Sequence, residues 1–390
     1  MFQTFARSDA RRFSIRADIA TPEWGRSVQA PLLRAVHGVA VPGNLGCGKI
    51  PDRTRGTAGN RIACMLRVGI IGLGAHGRRY VKHVMDDVPD MRLVAVCRRD
   101  RVEGERVASA AGARYVASAA ELIAAPDVDA VILVTPPPSH LPLARAALEA
   151  GKPVVLEKPL THTLSEAREL VRIVERTRVP LLLAQTLRYN AALQVARDAL
   201  PRIGPLRTVT ASQRLPKPAL EWQTAPATAP LGAVLNTGVH LFDLVRWMLG
   251  AEFATVFCTA RCIENPHHED VFKVQATLRD RDTLVSLEVA KATQSRSANL
   301  ELVGEQGQLW VDYQTDAVVL LAGNQRSTLR QPGVVYTIPL LLQDFARRIA
   351  SAEPMPITAH DGVRTLEVTD ACYRSMASGS TERVGEGIGS

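Results

Sequence analysis

A lysine at the end of an apolar run is the first residue whose position suggests chemistry. Lys158 follows the run 154–156 and Glu157, and it stands directly before Pro159. Ligands of open parallel sheets bind outside the carboxyl ends of the strands. An ammonium group there can hold a substrate oxygen and stabilise negative charge as it develops. The alternative interpretation is a surface lysine near a turn. Pro159 is expected to fix the backbone after Lys158 through a cis bond.

A histidine within a helical pattern at about 235–249 is the second candidate. Asn236 and His240 are four residues apart, and Asp243 follows three residues later, which puts all three on one helix face. Imidazole changes charge near neutral pH, so His240 can act as a general base or acid. A core or interface histidine fits the spacing equally well.

Three glycines point to a bound dinucleotide. Gly72, Gly74 and Gly77 end the apolar run 66–71, the pattern of a strand that turns tightly into a helix. Gly72 permits the turn, Gly74 lets the backbone approach a pyrophosphate, and Gly77 lets the helix sit against the strand. Glycine triplets also occur in ordinary turns. A second apolar run at 93–96 supports the dinucleotide interpretation. It ends about 20 residues after Gly77, where dinucleotide-binding folds place the residue that binds the ribose.

The first turn of the helix after these glycines belongs to the same predicted site. Ala75 and His76 lie where unpaired N–H groups and the positive end of the helix dipole face the phosphates. We therefore include both residues among the predicted cofactor contacts.

The elements that position these residues indicate an α/β fold. Apolar runs separated by helical patterns imply a parallel sheet covered on both faces, which is the doubly wound Rossmann fold. We assign residues 65–185 to this NAD(P)-binding domain. Its predicted strands are 66–71, 92–97, 130–134, 153–156 and 181–184.

Residues 186–385 are predicted to form a second α/β domain, with a large, mostly antiparallel open sheet. Its role would be substrate binding and oligomerisation. A broad open sheet often buries its outer face against another subunit, so we expect a homo-oligomer, a dimer or a tetramer. The strand-like runs are 253–259, 271–278, 284–290, 298–303, 308–312 and 317–321.

Composition narrows the class of partner. The formal charge of the 390-residue chain is +8, but residues 1–64 hold ten Lys or Arg against four Asp or Glu. The remaining chain gives no electrostatic case for nucleic acid. No run approaches the ~18 apolar residues that span a bilayer, so no membrane partner is predicted. Six scattered cysteines fit a reducing cytoplasm.

Because Met65 directly precedes the first strand, residues 1–64 are interpreted as a disordered leader or a start-site artefact.

Two further patterns are set aside. The segment 43–49 approaches a phosphate loop, but Ile50 replaces the Ser or Thr and no apolar strand precedes it. Cys258, Cys262 and the adjacent histidines at 267–268 have spacing that suggests zinc. A strand followed by an Asn-Pro turn explains them better, so no metal is predicted.

Together the motifs resemble the Gfo/Idh/MocA oxidoreductases, the glucose–fructose oxidoreductase and inositol dehydrogenase family. The resemblance covers about residues 65–385. It rests on Gly72-x-Gly74-x-x-Gly77, Glu157-Lys158-Pro159 and Gly232-Ala233-x-Leu235-Asn236-x-Gly238-x-His240-x-x-Asp243, and it extends to Thr135-Pro136 with His140, Glu269-Asp270, Gly304-Glu305-Gln306-Gly307 and Phe345.

The resemblance implies NAD(P)-dependent oxidation or reduction of a sugar, a cyclitol or a related hydroxyl compound. By position, Lys158 would contact the substrate and the nicotinamide ribose, and His240 would exchange the proton of the substrate hydroxyl. The carbon-bound hydrogen would pass as hydride to or from the nicotinamide. Four more residues would join the cofactor site: Thr135, Pro136, His140 and Glu157.

The chain departs from the family pattern at the helix motif. The motif usually begins with aspartate, whereas Asn236 cannot ionise. Its amide can still hydrogen-bond a substrate hydroxyl, so we retain Asn236 beside Lys158 and His240 as a predicted catalytic residue.

A second departure concerns the choice of cofactor. The family often ends its second strand with an acidic residue that holds the ribose hydroxyls. Here Cys97 is followed by Arg98 and Arg99, and Asp100 is displaced by two positions. Guanidinium groups suit a 2′-phosphate, which predicts NADP over NAD. The alternative is that both arginines face solvent and Asp100 bends in to bind NAD.

Two other functions remain open at this point: a regulator that binds NAD(P) without turnover, and a cofactor-assisted glycosidase of the same family. Retention of both Lys158 and His240 argues against a pure sensor. The identity of the substrate depends on the segment 215–231 and on the side chains lining the cleft, with Trp222 and Arg188 as candidates.

Overall fold

The computed structural model describes residues 65–217 and 232–385. The interpretations of residues 1–64, of the segment 43–49 and of Trp222 lie outside these described residues. Within the described part, the helices lack the combination of length and hydrophobicity that crossing a bilayer requires.

A six-stranded sheet forms the first half of the described chain. Its order is β3-β2-β1-β4-β5-β6 with every pair parallel, which is the strand order of a dinucleotide-binding Rossmann sheet. The strands are β1 Leu66–Ile71, β2 Met91–Cys97, β3 Arg114–Val116, β4 Ala130–Leu133, β5 Val154–Glu157 and β6 Leu181–Ala184. All five predicted strands are present. The sixth, β3, was missed because three residues are too few for a periodic pattern.

Helices connect these strands. Every residue of β4, β5 and β6 is buried, as expected for a parallel sheet with both faces covered. The connecting helices are α1 Ala75–Asp86, α2 Arg101–Ala110, α3 Ala119–Ala124, α4 His140–Glu149 and α5 Leu164–Thr177.

A nine-stranded sheet forms the second half, in the order β14-β13-β12-β11-β7-β10-β9-β8-β15. It is antiparallel except where β7 pairs with β10. Its strands are β7 Leu206–Pro216, β8 Phe253–Arg261, β9 Val271–Leu278, β10 Arg281–Thr293, β11 Ser297–Gly304, β12 Gln308–Asp312, β13 Ala317–Ala322, β14 Gln325–Arg330 and β15 Glu382–Arg383. Buried and exposed residues alternate along β9 and β10, so one face packs on helices and the other is open. The predicted fold class is confirmed.

Four more helices follow in the second half of the chain, namely α6 Ala191–Ala199, α7 Val239–Leu249, α8 Ile338–Ser351 and α9 Ala359–Ser378. The helices α6, α7 and α9 pack with the second sheet, whereas α8 packs against α1 and the core of the first half. The prediction of one regular helix from about 235 to 249 is wrong in part, because Val234–Gly238 forms a π-helical turn before α7. The long helix α9 contacts both α5 of the first half and β8 of the second, which joins the two sheets.

Candidate active site

The glycine-rich loop after β1 has a separate physical reason for each glycine. Gly72 adopts a φ of +99°, and a Cβ there would lie 2.2 Å from the carbonyl oxygen of Val134. A Cβ on Gly77 would lie 1.9 Å from the carbonyl oxygen of Gly72, so only glycine lets α1 approach the loop this closely. A Cβ on Gly74 would meet no atom within 4 Å. The space above Gly74 is therefore open to a ligand.

The N-terminus of α1 opens onto the same space. The helix begins at Ala75, and its cap residue Gly74 has no side chain that could accept the first N–H groups. These unpaired donors and the positive end of the helix dipole are suited to a pyrophosphate. The residues of the loop thus fit a dinucleotide cofactor.

The different surroundings of two loop glycines give a matched pair of variants. Gly77→Ala is expected to destabilise the fold by about 1–3 kcal/mol, because backbone must move to admit the methyl group. Gly74→Ala is expected to leave the melting temperature nearly unchanged and to weaken dinucleotide binding at least about tenfold, because its methyl group occupies ligand space. Thermal unfolding and cofactor titration measure both effects. Equal losses of stability in the two variants would contradict this division of roles.

A buried carboxylate links α1 to the end of β5. Oε1 of Glu157 accepts a hydrogen bond from the Tyr80 hydroxyl at 2.6 Å and lies 2.6 Å from Nε2 of His76. Its Oε2 accepts the backbone N–H of Lys158 at 3.1 Å. Burial acts to raise the pKa of Glu157, but the nearby His76 and Lys158 outweigh it and lower that pKa to about 2. Glu157 is thus ionised, and each of its carboxylate oxygens already accepts a hydrogen bond from the protein.

The buried side chain of His140 contacts the backbone of the turn between β4 and α4. This side chain has no exposed surface, so it lies beneath the ligand surface and cannot make the cofactor contact that the resemblance predicts. Its Nδ1 lies 2.9 Å from the carbonyl oxygen of Pro159, and its Nε2 lies 2.8 Å from that of Thr135. Thr135 is half-buried and Pro136 is exposed. His140 therefore positions the two loops, while Thr135 and Pro136 remain at the surface.

Lys158 connects the two halves of the chain. The Lys158–Pro159 peptide bond is cis. The Nζ atom of Lys158 donates a hydrogen bond to the backbone carbonyl of Asn236 at 2.8 Å, within the π-helical turn. Burial lowers the pKa of Lys158 from its usual value. The ammonium group thus reaches from the end of β5 to the π-helical turn before α7.

His240 lies at the same junction. Its Nδ1 is 3.2 Å from Oε1 of Gln185, and Nε2 of Gln185 donates to the carbonyl of Val239 at 3.4 Å. The Gln185 amide directs its nitrogen to Val239, so its oxygen, which can only accept, faces the ring of His240. Nδ1 of His240 therefore carries the imidazole proton, and Nε2 is the basic nitrogen. Burial and the charge of Lys158 lower the pKa of His240 to about 3. Its imidazole is therefore neutral at physiological pH.

Gln185 is a site residue that sequence analysis missed. It directly follows β6, just as Lys158 directly follows β5, and its side chain is buried. A polar residue after a fully apolar strand was the available signal.

The predicted common face of the helix motif is only partly present. Asn236 and His240 lie at the junction with Lys158, but Asp243 does not join them. Asp243 accepts two hydrogen bonds from Arg188, at 2.6 and 2.8 Å. Arg188 also donates to Asp361 at 2.8 Å. Arg188 is thus committed to a buried ion-pair network and is not available as the substrate contact considered from the sequence.

The end of β2 presents a guanidinium group to the glycine-rich loop. Arg98 donates to the carbonyl of Leu73 at 2.7 Å, and Arg99 is exposed. Asp100 accepts the backbone N–H of Glu103 as the N-cap of α2, and it lies 3.6 Å from Arg98. The carboxylate is therefore tied to the helix start.

The tempting zinc pattern is not a cluster. Cys258 is buried in β8 and Cys262 is exposed. Across residues 65–217 and 232–385, no group of three or more His, Cys, Asp or Glu side chains could hold a metal ion.

With this geometry established, comparison with known proteins decides the family. A model described as "Oxidoreductase family, NAD-binding Rossmann fold" matches residues 66–185, and the GFO/IDH/MocA C-terminal domain matches residues 196–310. The chain belongs to the Gfo/Idh/MocA family. The predicted class, a nicotinamide-dependent dehydrogenase or reductase acting on CH–OH groups, is thereby confirmed.

Several known proteins are similar to this chain over most of its length. Inositol 2-dehydrogenase of Rhizobium meliloti is 26% identical over 335 residues, which cover 80% of this chain and 97% of that protein. Inositol 2-dehydrogenase 2 of Saccharopolyspora erythraea is 30% identical over 336 residues, covering 82% and 95%. The crystal structure of an oxidoreductase domain protein from Kribbella flavida superposes with a TM-score of 0.75 at 23% identity, covering 82% and 99%.

Proposed function

We propose that this chain is an NAD(P)-dependent dehydrogenase that transfers a hydride between the nicotinamide and a carbinol carbon of a sugar, a cyclitol or a related polyol. The observation that carries the proposal is the hydrogen bond from Lys158 to the carbonyl of Asn236, four residues before His240, together with the effect of the Lys158 charge on the pKa of His240. When bound, the nicotinamide supplies the hydride acceptor or donor. The inositol dehydrogenases among the relatives support a polyhydroxylated substrate.

The two side chains have complementary roles in this proposal. Nε2 of His240 takes the proton of the substrate hydroxyl during oxidation, because Gln185 holds the proton of the ring on Nδ1. The Lys158 ammonium holds the same substrate oxygen and stabilises the negative charge that develops on it. Asn236 is proposed to orient a neighbouring substrate hydroxyl.

We further propose that residues 65–185 hold the cofactor and residues 186–385 contribute the substrate side and an oligomer interface. Three large apolar side chains on the strands of the second sheet are exposed, namely Phe257, Leu284 and Trp310. A second copy covering this face would remove them from water.

A substrate screen tests the function. Purified protein is incubated with NADP or NAD and a panel of sugars and polyols, and with the reduced cofactors and the matching keto or lactone forms, while absorbance of the reduced nicotinamide is recorded. We expect one molecule of nicotinamide cofactor to be reduced or oxidised for each molecule of substrate converted. Turnover without net change would indicate the cofactor-assisted glycosidase. Cofactor binding without turnover across the panel would indicate the regulator.

The cofactor preference is expected to be NADP over NAD because of Arg98 and Arg99. Arg99→Ala is expected to raise the Kd of NADPH about tenfold and to leave that of NADH nearly unchanged, since only NADPH carries the 2′-phosphate. Arg98→Ala should also raise the Kd of NADPH more than that of NADH. In addition it should weaken the binding of both cofactors, because Arg98 donates a hydrogen bond to Leu73 in the glycine-rich loop. Arg92→Ala, an exposed arginine at the opposite end of β2, is the control. Tighter binding of NADH by the unmodified protein would contradict the preference.

A further inference from the structure

A buried lysine on the second sheet has no role in the proposed hydride transfer. Lys291 is 8% exposed and lies near the end of β10. It continues the series of alternate residues that face the helices, and the other members of that series are apolar or neutral. They are Thr283, Val285, Leu287 and Val289, all buried.

The strand is irregular at this position. The register of β10 against β7 shifts between Ala290 and Thr293, on either side of Lys291. Irregularities of this kind occur next to active sites, where they redirect a side chain. Lys291 therefore ends an otherwise apolar face at a point where the sheet ceases to be regular.

Contacts connect this position to the candidate active site. The backbone N–H of Lys291 donates to the carbonyl of Asp270 at 2.8 Å. The adjacent Glu269 accepts the backbone N–H of Val234 at 3.1 Å, at the start of the π-helical turn. The same turn offers the carbonyl of Asn236 to Lys158. Burial and then the positive charge of Lys158 lower the pKa of Lys291 to about 8, although the charges of Glu269 and Asp270 act to raise that pKa.

The carboxylates nearest to Lys291 are already engaged elsewhere. Glu269 accepts hydrogen bonds from Val234 and from the Tyr373 hydroxyl, the latter at 3.0 Å. Asp270 accepts three successive backbone N–H groups in the turn 263–265. Among the described residues, the Lys291 ammonium forms no hydrogen bond or ion pair. A buried cation without a partner is unfavourable, so a ligand that supplies the missing negative charge gains affinity there.

We propose that Lys291 binds an anionic substituent of the substrate, a carboxylate or a phosphate. This proposal rests on the proposed function and narrows its substrate class from neutral polyols to sugar acids or sugar phosphates. Lys158 holds the reacting oxygen, and Lys291 pairs with the anionic group on another part of the same molecule. The negative charge relieves the repulsion between the two ammonium groups and forms charge-assisted hydrogen bonds.

Three substrates with one carbon skeleton provide the test: a neutral hexose, its hexuronic acid and its 6-phosphate. For each, kcat/KM is measured with the unmodified protein, Lys291→Gln, Lys291→Arg and Lys273→Gln. Lys273 is the matched control, because it lies on the exposed face of β9 and pairs with Glu288.

The unmodified protein is expected to prefer the hexuronate or the hexose 6-phosphate, and the preferred one identifies the anion. Lys291→Gln is expected to lower kcat/KM for that anionic substrate about 10- to 100-fold, mainly through KM, and to change the neutral hexose by less than about threefold. Lys291→Arg should restore much of the preference, and Lys273→Gln should retain it. If Lys291→Gln lowered kcat/KM equally for the charged and the neutral substrates, or lowered neither, the proposal would be overturned.

Calorimetric binding of the same three compounds separates this inference from the proposed function. If no substrate is turned over but the anionic compounds bind the unmodified protein at least about tenfold more tightly than Lys291→Gln, the hydride transfer is wrong and the anion site stands. Equal binding to the two proteins would overturn the anion site, whatever the turnover. Thermal unfolding of each variant checks that the fold is intact.

Discussion

Replacing Lys158 with methionine is expected to lower kcat about 100- to 1,000-fold for any substrate that the unmodified protein oxidises. The expected size is that of removing one charged donor from an oxygen on which negative charge develops. Methionine keeps much of the volume and the apolar stem. The lost ammonium also donates to the carbonyl of Asn236, so a small loss of stability is expected in addition. Steady-state kinetics and thermal unfolding, measured on the same preparations, separate the two effects.

The control for this substitution is Lys82→Met. Lys82 is exposed on α1 and pairs with Asp86, away from the ends of β5 and β6. Its replacement should leave kcat within about twofold, since an exposed ion pair contributes little. A Lys158→Met variant with unaltered kcat and a normal melting temperature would remove the ammonium group from the catalytic assignment.

The elements that sequence analysis predicted best are those with a strong local pattern. β1, β4, β5 and β6 are short apolar runs bounded by turn residues, and each is found within one residue of the predicted limits. The glycine spacing predicted the loop before α1. These signals depend only on neighbouring residues, so they can be recognised without a structure.

The sequence-based predictions failed where a partner is distant along the chain. Asp243 has the helical spacing of a site residue, yet its partner is Arg188, 55 positions earlier. His140 belongs to the motif after β4, but the structure buries it against Pro159. Gln185 carries no motif, and only the packing of the two halves brings it to His240. The π-helical turn was missed for a different reason, because its residues also fit an ordinary helix.

The imidazole of His240 gives the second large expected effect. His240→Gln is expected to lower kcat about 100- to 10,000-fold, the range associated with loss of a general base or acid. Glutamine retains a polar group near Gln185 but offers no nitrogen that takes up a proton at neutral pH. His360→Gln, an exposed histidine near the start of α9, is the control and should keep normal kinetics.

The pH dependence of the same reaction tests the state of the ring. The pKa of His240 is lowered to about 3, first by burial and then by the charge of Lys158. The neutral, basic form is therefore retained as the pH falls through 6.5, where an ordinary histidine would become protonated. The rate of substrate oxidation should show no loss from His240 between pH 8 and pH 5. In Lys158→Met one cause of the shift is removed, so the pKa of His240 should rise towards its usual value. NMR titration of labelled histidine rings measures this change. An unperturbed His240 near 6.5 in the unmodified protein would show that the imidazole is neither buried nor beside the ammonium group, and the proposed pairing of the two would fail.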